Sequence, residues 1–206
     1  CLRLGMAELV GSRSPGNRGG SSLQEAGSRL PERITGDDGT ELPVGEVGEI
    51  RVRGDNILTR YWNNEAASAE SIVDGWFRTG DMARLDADGL YWFADRLKHV
   101  IISGGENIYP REIEEFLYQH PAISEVQVFG VPDEKMGEEV CAWIQLTPGH
   151  ELSADDVKAF CQDKITHFKI PRYIDFVDEY PMTVTGKIQK FVMRDTMTER
   201  LQKGAP

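Results

Sequence analysis

The sequence predicts an α+β fold in two parts, a small β-rich subdomain hinged to a compact α+β domain. Three observations carry that expectation. Residues 34–94 read as short strands broken by turn signals, residues beyond 100 alternate strand and helix periodicity, and the change falls at the polar stretch Asp95-Arg96-Leu97-Lys98. In the first part, Asp37-Asp38-Gly39 signals a turn and residues 49–52 a short strand. Asp86-Ala87-Asp88-Gly89 separates 82–85 from 90–93 as a hairpin loop would. In the second part, 100–103 is a short β-branched run. Pro110, favoured at the first helical position, opens an amphipathic stretch with Ile113, Phe116 and Leu117 on one face, ended by Pro121. Residues 124–131 and 140–146 read as strands. Ser153 with Asp156 has the spacing of a capping box, and Val157, Phe160, Cys161 and Ile165 keep one helical face apolar. A strand at 173–177, a glycine turn and a terminal helix at Lys190–Gln202 complete the order. Residues 11–29, rich in Gly, Ser, Arg and Asn without apolar periodicity, read as loop or disorder.

Composition narrows the function. With 206 residues and 40% hydrophobic content the chain can bury a core, and a formal net charge of −11 argues against a nucleic-acid footprint, which needs clustered Lys and Arg. No apolar run reaches the 18 or more residues of a membrane helix, and residues 1–30 lack the apolar segment of a secretory signal. A cytoplasmic location is expected, or the mitochondrial matrix in a eukaryote. Three cysteines, Cys1, Cys141 and Cys161, and four histidines, His99, His120, His150 and His167, lack metal-ligand spacing, so no metal site is assigned. The chain starts at Cys1 rather than an initiator methionine, which suggests a fragment, a processed product or a partial reading frame.

Three motifs hold the chemistry. Trp76-Phe77-Arg78-Thr79-Gly80-Asp81 ends on a carboxylate that the glycine is expected to leave projecting from a tight turn, where it could accept both hydroxyls of a ribose; a turn-capping aspartate is the plainer reading. Arg96 carries a planar fork suited to ribose hydroxyls or phosphate oxygens, against which stands a surface salt bridge to Asp95 or Asp86. Gly104-Gly105-Glu106-Asn107 lets a ligand approach the backbone closely, although two glycines after a strand usually make only a turn. Pro181-Met182-Thr183-Val184-Thr185-Gly186-Lys187 places an ammonium on a glycine turn, free to reach a facing cleft or simply to be solvated.

In this order and spacing the motifs resemble the adenylate-forming superfamily of acyl-CoA synthetases, luciferases and peptide-synthetase adenylation domains, from about residue 34 to 202. The resemblance implies the C-terminal portion of an acyl-CoA synthetase (AMP-forming ligase): 34–97 as the end of the large N-terminal adenylation domain, 98–206 as its C-terminal lid, and 1–33 as a loop or disordered remnant. It implies nucleotide binding by Asp81 and Arg96, a hinge at Lys98, coenzyme-A contacts at Gly104 and Gly105, and catalysis by Lys187. ATP/AMP, coenzyme A and magnesium are the expected cofactors, with a carboxylic acid as substrate and the missing N-terminal domain as partner. Where the family often has Gly before the arginine, this chain has Asp95. His167-Phe168-Lys169-Ile170-Pro171 resembles a segment of acyl-activating ligases and is read as structural, with Lys169 a minor candidate for a coenzyme-A phosphate. Lys190 and Arg194 read as a basic solvated face.

Other family parts are missing. No Gly/Ser/Thr-rich phosphate loop occurs, and Gly16–Ser22 lacks its Pro-Lys-Gly. Leu4-Gly5-Met6-Ala7-Glu8 is at most an eroded counterpart of the adenine-contacting motif, so no magnesium ligand is assigned. The isolated chain is therefore expected to be inactive in adenylation. The alternatives are a peptide-synthetase-type enzyme, against which stands the run 95–107, a luciferase-like enzyme, and a noncatalytic lid-like binding module.

Overall fold

Turn signals close together force short antiparallel strands, and that is how the first hundred residues fold. The computed structural model describes residues 22–25 and 32–204, and the chain divides between Lys98 and His99 into two compact units. In the first unit lie β1 (Ser22–Glu25), β2 (Glu32–Thr35), β3 (Val47–Val52), α1 (Glu65–Ser71), β4 (Ile72–Val73), β5 (Trp76–Leu85) and β6 (Leu90–Arg96). The strands form one sheet in the order β1-β6-β5-β3-β2, with β4 also on β5. Ile34, Ile50, Val52, Ala83 and Tyr91 bury one cluster against it. At the β5–β6 loop, Asp86 Oδ1 accepts from the amides of Asp88 and Leu90 at 3.0 and 2.8 Å, closing the hairpin as expected.

Two readings of this region change. Residues 22–25, expected in a loop or disordered remnant, form the edge strand β1 paired antiparallel with β6. An edge strand is held by main-chain bonds along one side and needs no apolar alternation, so its sequence is silent. The neighbouring segments 1–21 and 26–31, with the Gly16–Ser22 and Leu4–Glu8 stretches apart from Ser22, lie outside the described residues. Helix α1 was not foreseen. Its start is written in Asn64, whose Oδ1 accepts from Ala67 N at 3.0 Å ahead of a Glu-Ala-Ala run.

The second unit holds β7 (Ile101–Ser103), β8 (Glu106–Ile108), α2 (Pro110–Leu117), β9 (Ile123–Asp133), β10 (Gly137–Leu146), α3 (Ala154–Cys161), β11 (Tyr173–Phe176) and α4 (Lys190–Gln202). β10 is central. It pairs antiparallel with β9 along one edge, and its other edge meets β7 at Gly137 and runs parallel to β11 from Cys141 to Ile144. Val126, Val128, Val140, Ala142 and Ile144 pack on one face with Ile113 and Leu117 of α2 and Val157 and Cys161 of α3. Phe129, Val131, Cys141 and Trp143 pack on the other with Met193 and Met197 of α4. Burial on both faces explains why β9 and β10 read as near-continuous apolar runs. α3 carries the expected capping box, Ser153 Oγ accepting from Asp156 N at 3.2 Å while Asp156 accepts from Ser153 N at 3.0 Å. Cys141 and Cys161 are free and buried, and burial pushes the Cys161 thiol up to about 11, so both act as packing groups.

Candidate functional site

In the first unit the Arg-Thr-Gly-Asp motif is not a turn between strands. It is a bulge inside β5. Glu49 pairs with Met82 and Arg51 with Arg78, so Thr79, Gly80 and Asp81 lie opposite Ile50 alone. Gly80, at φ 70°, takes the left-handed conformation that this detour requires. The expectation of a carboxylate projecting from a loop is therefore corrected: Asp81 is 4% exposed, because the bulge turns it toward the neighbouring strand.

There it meets Arg96. The two are register partners on β5 and β6, and Arg96 Nε lies 3.0 Å from Asp81 Oδ1. That oxygen has no well-aligned hydrogen-bond donor, so the pair is a charge contact with unused acceptor capacity. Burial raises the Asp81 carboxyl above its ordinary range, and the Arg96 charge pulls it back only in part. Arg96 keeps its side chain 45% exposed, so its fork can serve a ligand while it faces Asp81. The competing partners fall elsewhere: Asp95 Oδ1 accepts from Arg96 N at 2.6 Å, and Asp86 Oδ2 accepts from Trp92 Nε1. Lys98 is exposed within a short 3-10 turn, Leu97–His99, that ends the unit.

In the second unit Gly104 and Gly105 are the two-residue turn of the β7–β8 hairpin, with φ 59° and 88°, the backbone of a type I′ connection. Gly104 N donates to Met136 O at 2.8 Å, and a Cβ on Gly104 would stand 2.6 Å from Met136 Cε. A Cβ on Gly105 would meet nothing within 4 Å, so its face is open. Lys187 sits on a tight turn in which Thr183 N donates to Lys187 O at 2.9 Å and Lys187 N to Thr183 Oγ1 at 3.1 Å. Its backbone is pinned on both sides. Its side chain is exposed and pairs with no described residue.

Glu49, Glu114 and Glu138 escaped the sequence reading as anchors. Lys190, its side chain 18% exposed, is not on a solvated face, whereas Arg194 keeps 44% of its side chain exposed. Lys190 Nζ donates to Glu114 Oε1 at 2.7 Å and to Val128 O at 3.0 Å, fixing the first turn of α4 against α2 and β9. Arg194 Nη2 lies 2.7 Å from Glu138 Oε1, and Glu138 Oε2 accepts from Ile102 N at 3.0 Å. Glu138 thus ties the hairpin that carries Gly104 and Gly105 to the helix that follows Lys187. Glu49, 5% exposed, accepts from Gly80 N and Arg78 Nε at 3.1 and 2.8 Å. Ion pairs far apart in sequence leave no periodic signal, which is why none was found. Lys169 Nζ, a minor coenzyme-A candidate, donates to both oxygens of Glu112 at 2.7 and 2.8 Å. Among the described residues no three His, Cys, Asp or Glu side chains gather to hold a metal, and Glu8 lies outside them.

The motif residues thus stand on a bulged strand, where a carboxylate faces a guanidinium, and on a glycine turn, where a lysine side chain is exposed. Residues 112–187 match the family described as AMP-binding enzyme C-terminal domain. The chain is 52% identical over 77% of its length to YngI of Bacillus subtilis (strain 168), named provisionally as an acyl-CoA synthetase, covering 29% of that protein. It is 49% identical over 79% of its length to the medium-chain acyl-CoA ligase ACSF2, mitochondrial, of Danio rerio, covering 27% of it. Among solved structures, ATP-bound MatB from Rhodopseudomonas palustris matches at TM-score 0.79 and 34% identity, over 92% of this chain and 37% of that one. The o-succinylbenzoate CoA synthetase MenE of Bacillus subtilis, in complex with its acyl-adenylate intermediate, matches at TM-score 0.74 and 34% identity, over 85% and 35%. Residues 112–187 thus carry the C-terminal domain match, the chain's relatives are acyl-CoA synthetases of the adenylate-forming family, and it spans under a third of the length of YngI and of ACSF2.

Proposed function

We propose that this chain belongs to a ligase that joins a fatty or other hydrophobic carboxylic acid to coenzyme A through an acyl-adenylate. Residues 34–97 close its large domain and 98–206 form its lid. The observation that carries this reading is the buried Asp81 beside the half-exposed Arg96, a carboxylate with free acceptor capacity next to a cationic fork. Asp81 accepts the ribose hydroxyls, and Arg96 holds ribose or phosphate oxygens alongside it. The substrate carboxylate attacks the α-phosphorus and pyrophosphate leaves, while Lys187 stabilises the charge that builds on the transferring oxygens. Turning about Lys98, the lid then withdraws Lys187 and brings the Gly104-Gly105 hairpin toward the pantetheine arm. The thiol attacks the acyl carbon and AMP departs. The names of the medium-chain relatives support an aliphatic acid and, in a eukaryotic source, the mitochondrial matrix.

The test is Lys187→Ala in the full-length enzyme, with each half-reaction measured separately. Adenylation, followed by pyrophosphate exchange, is expected to collapse while thioester formation from premade acyl-adenylate persists. Equal loss of both would sink the assignment.

A further inference from the structure

The carboxylate proposed to read the ribose is carried on a bulge, and a bulge left to itself has several conformations. What fixes this one comes from β3. Gly80, the residue before Asp81, donates its amide to Glu49 Oε1 at 3.1 Å, and Arg78 Nε donates to Glu49 Oε2 at 2.8 Å. A single carboxylate thus clasps both flanks of the detour. Arg51, itself 5% exposed, brings Nε within 3.5 Å of the same Oε2 without an aligned hydrogen bond and supplies the countercharge that lets Glu49 stay buried. Thr79 Oγ1 adds a third tie, donating to Ile50 O at 2.8 Å and accepting from Asp81 N at 3.1 Å. A bulge would survive on backbone bonds alone. A buried ion cluster at its base is more than strand pairing needs, and both Glu49 oxygens are spent on residues 78 and 80.

We propose that Glu49 is a positioning residue for nucleotide binding, setting the direction of the Asp81 carboxylate through the Gly80 amide and the Arg78 guanidinium. The proposal rests on Asp81 reading the ribose. It makes the clasp a determinant of sugar recognition rather than of fold alone. A glutamine at this position keeps the length and one acceptor but presents an NH₂ where a second acceptor is needed, so it cannot satisfy Gly80 and Arg78 together.

The experiment titrates AMP and 2′,3′-dideoxy-AMP against the full-length enzyme as wild type, Asp81→Asn, Glu49→Gln and the double variant, with urea unfolding of each. The readout is the ratio of the two dissociation constants, which reports hydroxyl recognition and which a loss of stability alone would not move. Glu49→Gln is expected to cut the preference for AMP about tenfold, the size of one lost hydrogen bond to a charged group. The double variant should be no worse than Asp81→Asn, because both act on one contact. If Glu49→Gln lowers the unfolding midpoint but leaves the ratio intact, Glu49 is structural and the proposal is wrong. If Asp81→Asn leaves the ratio intact, the ribose reading itself fails, and the clasp proposal with it. Arg78→Met, which keeps Glu49 and the Gly80 bond, should reproduce a smaller part of the loss, and an unchanged ratio there would remove the guanidinium from the device.

Discussion

Asp81 and Lys187 carry the opposite charges of the proposed chemistry, and the fold presents them in opposite ways. Asp81 is 4% exposed in a strand bulge, beside an arginine and anchored from below by Glu49. Lys187 is exposed on a turn whose backbone is hydrogen-bonded on both sides while its side chain has no described partner. A group that must recognise a ligand gains from being held, since ordering it beforehand lowers what binding must supply. A group that must be inserted for one step and withdrawn for the next gains from having no partner to abandon. Fixed backbone under a free side chain suits the second task, and a fixed carboxylate suits the first.

Removing each group should therefore have a different signature. Lys187→Ala is expected to slow adenylation by roughly 10²–10³ while leaving the unfolding midpoint unchanged, because only a transition-state contact is lost. A parallel fall in stability, read by thermal unfolding, would mean that Lys187 is held after all. Asp81→Asn should weaken AMP roughly 10- to 100-fold, the range for a hydrogen bond to a charged group, and should raise stability at neutral pH. The sign follows from its shift. Burial raises the folded carboxyl above the 3.8 of the unfolded chain, so between those values the folded state holds the proton and the unfolded state has lost it. Stability falls as pH rises through that window, and the penalty is fully present above it. The gain from Asn is expected at pH 7 and should vanish below about pH 4, while ribose binding by the native enzyme should fade at a higher pH than an ordinary carboxylate would dictate. Arg96, half exposed, is resolvated in that variant and offsets little. A flat difference in unfolding midpoint from pH 4 to 7 would remove Asp81 as the titrating group.

Two other lysines of the second unit are held, where Lys187 has no described partner. Lys190→Met leaves Glu114, 14% exposed at its side chain, without its cation and Val128 O without its donor, and should cost about 1–3 kcal/mol by chemical denaturation. Because α4 begins three residues beyond Lys187, adenylation should also slow, by less than in Lys187→Ala. Lys169→Ala breaks only an exposed pair with Glu112 and should cost under about 1 kcal/mol, with coenzyme-A affinity unchanged. A marked rise in the KM for coenzyme A would return Lys169 to the phosphate site.

Much of this was readable beforehand. Pro110, the Ser153–Asp156 box and the apolar spacing of 157, 160 and 161 place α2 and α3, and the Asp86–Gly89 turn places the β5–β6 hairpin, because these signals act within a few residues. Edge strand β1 and the short helix α1 were missed for the reason that their support is main-chain pairing and a single cap. At the site, residue types at fixed spacing pointed to Asp81, Arg96 and Lys187 once the resemblance was in view. Their surroundings did not show.

The sequence by itself determined the two-part organisation, the main strands and helices of the second unit and the identity of the chemically able side chains, since periodicity, caps and turn residues are local and a family pattern is linear. Only the tertiary structure decided that Arg-Thr-Gly-Asp is a bulge that buries Asp81, that Arg96 faces Asp81 rather than Asp86 or Asp95, and that Glu49, Glu138 and Lys190 hold the bulge, the glycine hairpin and the start of α4. Those contacts join residues 15 to 76 positions apart. Charge and hydrogen-bond capacity are properties of a residue; which partner satisfies them, and how far burial shifts them, depends on where the rest of the chain comes back to meet it.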